Sequence, residues 1–113
     1  MQRGHRLSRS RDFDAVYRHG RSVSTRFLVL YWFERENGDG DAPRLGVAVP
    51  KKVGGSVIRN RIKRRLREAF RLHCAELEPR WDIVVNPRRT VLKAPFTDIE
   101  QALRKVIDRC NAG

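Results

Sequence analysis

Apolar and polar positions along the 113 residues follow two periods, one helical and one extended. Phe13, Val16 and Tyr17 recur at i, i+3 and i+4, which places them on one face of a helix over residues 11–19. Ser10 precedes it as an N-cap, Asp12 and Asp14 lie in the first turn, Arg18 and His19 in the last, and Gly20 is the stop. Val23 opens a candidate short strand. Residues 26–33 read as a strong strand with two apolar faces: Phe27, Val29, Tyr31 and Phe33 on one, Leu28, Leu30 and Trp32 on the other. Residues 34–43 (ERENGDGDAP) are turn formers with excess acid and predict a mobile hairpin loop. Residues 44–49 resume as a strand, with Leu45, Val47 and Val49 on one face and Gly46 and Ala48 on the other.

Pro50 ends that strand, and Ser56 follows Gly54-Gly55 as a candidate N-cap. Residues 57–77 form the clearest element, a helix whose stripe is Ile58, Ile62, Leu66, Ala69, Phe70, His73 and Leu77. Pro79 stops it. Residues 81–86 (WDIVVN) read as a buried strand ended by Pro87. Thr97 and Glu100 frame a capping box for a last helix with the stripe Ile99, Ala102, Leu103, Val106, Ile107 and Cys110. The order is helix, two or three strands, helix, strand, helix: one compact α+β domain over residues 1–113, with residues 1–9 as a flexible basic arm.

Charge sharpens this picture. The chain carries 25 basic and 13 acidic residues, a net charge of +12. Residues 1–11 hold four arginines and no acid, and residues 51–71 hold nine basic residues against Glu68 alone; the remaining 81 residues are neutral. A solvated helix face mixes signs, whereas eight excess positives within 21 residues repel each other and call for a polyanion. Nucleic acid fits best, ahead of a membrane surface or an acidic protein. A nuclear-localisation run would carry the same charge and need no fold.

Arg59, Asn60, Arg61, Lys63, Arg64, Arg65, Arg67 and Arg71 surround the polar side of the long helix, a ridge about 30 Å long. Arginine suits RNA because its planar fork grips phosphate and stacks on bases. The aromatic strand adds a second feature. Two long helices can cover one of its faces, and the short first helix covers less of the other. Phe13, Tyr17 and Tyr31 then either edge an open cleft for single-stranded RNA or sit in the core; the pattern is equally compatible with both.

Other chemistries find little support. The longest apolar run is seven residues, 27–33, against about 20 for a membrane span. No apolar stretch follows the basic N-terminus, which argues against a secretory signal peptide. Asp12 and Asp14 argue against a transit peptide. Cys74 and Cys110 read as small core residues in a reducing cytoplasm rather than a disulfide scaffold. His5, His19 and His73 are scattered, His73 within a core stripe, and no spacing suits zinc. No nucleophile–base set is evident. A ribosomal or RNA-chaperone protein shares the basic α+β pattern; a protein-only nuclease lacks the residues for it.

The segment KKVGGSVIRNRIKRRLREAFR (residues 51–71), with its Arg59-Asn60-Arg61 motif, closely resembles the protein subunit of bacterial ribonuclease P. SRDFDAVYRHGRS, RLGVAVPKK and WDIVVNPRR support the resemblance, which runs over residues 7–107; Pro50 departs from an expected serine. The resemblance implies an αβββαβα sandwich of a small central sheet with helices, ribosomal-protein-S5-domain-2-like, with a left-handed βαβ crossover. It implies that the RNA subunit and its Mg²⁺ remove the 5′ leader of precursor tRNA, while the protein binds no cofactor itself, takes no small-molecule substrate and does not contact membrane. It implies that Phe13, Tyr17, Tyr31, Lys51, Lys52, Arg59 and Asn60 hold the leader. It further implies that Arg61, Lys63, Arg64, Arg65 and Arg67 face the catalytic RNA.

Overall fold

The computed structural model describes residues 7, 9–35 and 42–112. Most of the predicted basic arm, including Arg3 and Arg6, and residues 36–41 of the predicted hairpin loop lie outside the described residues. The elements are α1 (Ser10–His19), β1 (Arg21–Ser24), β2 (Leu28–Glu34), β3 (Arg44–Val47), α2 (Ser56–His73), β4 (Trp81–Pro87) and α3 (Phe96–Ala112). This is the αβββαβα order, and the sheet runs β1-β2-β4-β3. β2 pairs antiparallel with β1 and β4, whereas β3 pairs parallel with β4 through the α2 crossover.

The stripes found in the sequence bury against the sheet except at Tyr17 in α1 and Ile58 in the first turn of α2, which stay exposed. Leu28, Leu30, Trp32, Leu45, Ile83 and Val85 share one cluster with Ile62, Leu66, Phe70, Leu103 and Val106, so α2 and α3 cover one face. Val84 faces the other way and meets Val16 of α1 and Leu7, with Phe13, Tyr31 and Phe33 half-buried around them. β4 is therefore buried on both faces, as its unbroken apolar run requires.

Local boundaries differ from the sequence reading. Ser10 and Ser56 are the first residues of their helices rather than caps; Arg9 and Gly55 take those places, without a side-chain cap. α3 starts at Phe96, one residue ahead of Thr97, so the capping box is not the helix boundary. The regular part of α2 ends at His73, and Cys74–Glu76 form a 3-10 turn. Gly20 does end α1, but in an extended conformation at φ −80°. Its requirement is space: a Cβ there would lie 2.5 Å from the Val16 carbonyl oxygen and 2.6 Å from that of Trp32. Phe27 packs with the α2–α3 core rather than on the Tyr31 face, because it sits in the bend before β2. Thr25 builds that bend, its Oγ1 accepting from the Phe27 and Leu28 amides and donating to the Leu28 carbonyl. His73 is held by carboxylates at the α2–α3 seam, with Nε2 2.9 Å from Glu100 Oε2, and is not packed as an apolar residue. Cys110 is the small core residue expected, and burial pushes its thiol up to about 12.

At the Trp81 end of the sheet, Asp82 is the one buried acid among the described residues. It pairs with Arg35 and accepts from Arg44 Nε at 2.8 Å and Nη2 at 2.7 Å. Arg35 also donates to the Pro79 and Ala42 carbonyls, drawing the ends of the β2–β3 connection onto β4. Removing one partner of such a cluster strands the other's charge, at a cost of about 3–5 kcal/mol. Asp82→Ala is expected to lose that much stability in urea unfolding; a loss below about 1 kcal/mol would mean both arginines reach water instead.

Candidate nucleic-acid interface

The α1 face of the sheet is only partly covered. α1 has ten residues, about 15 Å of helix, and lies over the row Tyr31–Val84–Gly46. Gly46 allows this: a Cβ there would sit 2.6 Å from the Phe13 ring, so the ring rests on bare backbone. Tyr17 follows one turn later, its ring centroid 6.4 Å from Phe13 and 5.0 Å from Tyr31, edge-on at 85°. Phe13 and Tyr31 are half-buried and Tyr17 is 39% exposed. Of the three rings only Tyr17 is exposed; Phe13 and Tyr31 pack half-buried against the Leu7, Val16 and Val84 cluster, so the set spans the boundary between core and surface.

The Tyr17 hydroxyl has a partner within the fold. It donates to Asn86 Oδ1 at 2.9 Å. Burial, the largest influence, pushes its phenol above the usual tyrosine range, so it stays a neutral donor at physiological pH.

Beyond Tyr17 the next row, Val29 paired with Asn86, is left open by α1. It floors a groove of about 660 Å³ that reaches Pro50, Lys52 and Val53 on one side and Arg26, Pro87, Arg88 and Arg89 on the other. Four cations and no acid line it. Arg89 donates to the Lys52 carbonyl at 3.2 Å, tying the two walls together. Sequence reasoning missed Asn86, Arg88, Arg89 and Arg26 as groove residues. The signal was present at Asn86, the lone polar side chain closing a strand otherwise buried along both faces after Asp82.

The predicted leader residues do not all meet. Phe13, Tyr17 and Tyr31 form the platform, and Lys52 enters the groove. Lys51 is exposed beside Lys52 in a 3-10 turn, while Arg59 and Asn60 lie on α2 and are not part of the groove lining. Arg59, Lys63 and Arg67 recur every four residues along one flank of α2, all half-buried. Arg59 Nε is buried with no partner. Arg61 and Arg64 are exposed. Arg65 is engaged within the fold, donating from Nη2 to the Ala94 carbonyl at 2.9 Å.

Acids gather elsewhere. Glu34 pairs with Arg80, Glu68 with Arg71, and Glu76 with Arg104, so ion pairs collect at the Trp81 end and along the C-terminal half of α2. The groove's cations have no ion pair among the described residues. Nor do the described residues contain a His/Cys/Asp/Glu group that could hold a metal ion. Among the described residues no helix is long and apolar enough to cross a membrane.

The ribonuclease P family model matches residues 1–111. The ribonuclease P protein component of Clostridium novyi is 36% identical over 109 residues, covering 96% of each chain. That of Clostridioides difficile is 36% identical over 104 residues, covering 91% of this chain and 89% of the relative. The solved RNase P protein of Staphylococcus aureus superposes with a TM-score of 0.76 at 35% identity, covering 92% and 93% of the two chains. That of Thermotoga maritima gives 0.76 at 30% identity, covering 92% and 96%.

The engagement of Arg65 separates it from its neighbours. Arg65→Ala is expected to cost about 1 kcal/mol in thermal or urea unfolding through loss of its bond to Ala94. Arg64→Ala, at an exposed site, should stay within about 0.5 kcal/mol of the unmodified protein. Equal effects would remove the structural role of Arg65.

Proposed function

The chain belongs to the ribonuclease P protein family, and from that premise we propose that it is the accessory protein subunit of an RNA-based endoribonuclease, binding the 5′ leader of precursor tRNA in the groove beside Tyr17. The observation that carries this reading is the continuity of an aromatic platform with a four-cation groove free of acids. Bases stack on ring faces whatever their sequence, and lysine and arginine neutralise the phosphates that follow. Phe13, Tyr17 and Tyr31 receive bases, and Lys51, Lys52, Arg26, Arg88 and Arg89 follow the backbone. Arg59 and Asn60 extend the contact at the α2 side.

The catalytic RNA meets the exposed and flanking cations of α2: Arg61, Lys63, Arg64 and Arg67, with Arg65 bracing the helix beneath them. The RNA subunit and its Mg²⁺ carry the hydrolysis, and the protein supplies affinity for the leader and neutralises charge where two polyanions meet. The protein itself holds no cofactor and does no chemistry alone. Its compartment is the cytoplasm, where precursor tRNA is made.

The reading is tested with precursor tRNA at low Mg²⁺, comparing protein alone, the cognate RNA subunit alone, and both. Cleavage is expected to rise sharply only in the mixture. In that mixture Tyr17→Ala should weaken binding of a long-leader precursor about tenfold, on a stacking scale of about 1–3 kcal/mol per base. Binding of mature tRNA is the reference. Equal losses for both would move the leader off the platform, and cleavage by nuclease-treated protein alone would overturn the accessory role.

A further inference from the structure

α1 is pinned to the sheet over its first two turns and less firmly after them. Asp12 Oδ2 lies 3.6 Å from Arg44 Nη1, the Phe13 ring rests on Gly46, and Val16 is fully buried beside Val84. Tyr17 is the next residue on that face, and it is exposed. Its ring meets Tyr31 edge-on, a contact that engages only part of it. A tyrosine side chain turns about two torsions, so an exposed ring on a helix needs a second fixed point to keep one plane. The hydroxyl provides that point, 2.9 Å from Asn86 Oδ1 and 69 residues away along the chain.

Asn86 is a firm mount. It pairs with Val29 on β4, the strand buried along both faces. The backbone on either side of it is tied down: the Val85 carbonyl accepts from the Ala48 amide at 3.0 Å, and the Arg88 amide donates to the Phe27 carbonyl at 2.9 Å. Pro87, next in the chain, restricts the backbone further. A carboxamide carries both a donor and an acceptor, and so does a phenol, so the link holds whichever group gives the proton. Docking of the helix does not need this link, because Asp12, Phe13 and Val16 already fix α1 to the sheet. What it adds is the placement of the Tyr17 ring at the head of the groove.

We infer that Asn86 is a positioning residue for leader binding: it fixes the plane of the Tyr17 ring through the phenolic hydroxyl, so that the ring receives a base without first having to be ordered. This rests on the leader-binding reading above and adds to it the means by which the stacking surface is held ready. The gain is preorganisation. A free ring loses rotamer freedom when a base stacks on it, and a ring already held loses little. The bond is exposed, so water competes for it and the held state is favoured rather than absolute. Its loss is therefore expected to weaken leader binding about 2- to 10-fold, and not to abolish it.

The test is a double-mutant cycle in the reconstituted holoenzyme under non-cleaving conditions, reading the affinities of a long-leader precursor tRNA and of mature tRNA. Asn86→Leu removes both ends of the amide at similar volume, and Tyr17→Phe removes the hydroxyl while keeping the ring. Each should weaken the precursor about 2- to 10-fold and leave mature tRNA within about twofold. Because both break one link, the double variant should lose no more than either alone. A leader carrying 2-aminopurine at the position most quenched on binding reads the stacking itself, and at saturation it should brighten in both variants. Tyr17→Phe is nearly isosteric at an exposed position, and it decides the matter alone should Asn86→Leu fold poorly. Losses that multiply in the double variant would mean that Asn86 meets RNA by itself. Tyr17→Phe binding the precursor as tightly as the unmodified protein, with quenching unchanged, would mean that the ring needs no holder. Either result overturns the inference. If precursor and mature tRNA bind the unmodified holoenzyme alike, the leader reading itself fails; if the leader advantage is present and survives both substitutions, only the role of Asn86 does.

Discussion

Parallel pairing of β3 with β4 forces the chain between them to travel back along the length of the sheet, and α2 is that return path. Because β3 ends near Val85, α2 must begin at the Pro87 end of β4 and finish near Trp81. The direction matters because α2 is not uniform in charge. Its first ten residues carry Arg59, Arg61, Lys63, Arg64 and Arg65 without an acid, and Glu68 is its only carboxylate. One backbone constraint thereby brings the basic half of the helix to the end of the sheet where the groove opens.

The acids complete the separation. Asp82 and Glu34 stand at the opposite end of the sheet, each held to arginine, and Glu76 and Glu100 line the seam between α2 and α3. Pairing there neutralises arginines that would otherwise add to the net charge, so the +12 of the chain does not spread evenly over its surface. What remains at the Pro87 end is a concave surface of one sign beside exposed aromatic rings. A low-dielectric wall with cations of one sign focuses the field outward, which suits capture of a flexible polyanion.

Helix stripes were legible in the sequence because each helix buries one face against an extended sheet. Ile62, Leu66, Phe70, Ile99, Leu103 and Val106 follow from spacing alone. The strong strand was legible for the same reason, as was its imbalance: two long helices on one face and a short helix on the other left open or buried aromatics equally compatible, and of the three only Tyr17 is exposed. What sequence could not supply depends on contacts between distant residues. Gly20 is needed for two carbonyls, one of them on β2, and Gly46 for a ring on α1. Phe27 left its expected face because Thr25 built a bend that strand alternation cannot anticipate. Asn86 gained its place from a hydroxyl 69 residues away. Arg65 looked like its neighbours until the turn before α3 placed the Ala94 carbonyl within reach. Helix starts came one residue early at Ser10 and Ser56 and two residues early at Thr97, where local preference competes with the packing of the incoming chain.

A crosslink measures most directly where the leader lies on the protein. A photoreactive group placed along the leader of a precursor tRNA, bound to the assembled holoenzyme, can be mapped by mass spectrometry to the residues it reaches. Adducts are expected at Tyr17, Lys52, Asn86, Arg88 and Arg89, the head, floor and walls of the groove. Adducts confined to the seam around His73 and Arg104, or to Arg80 at the Trp81 end, would contradict the account.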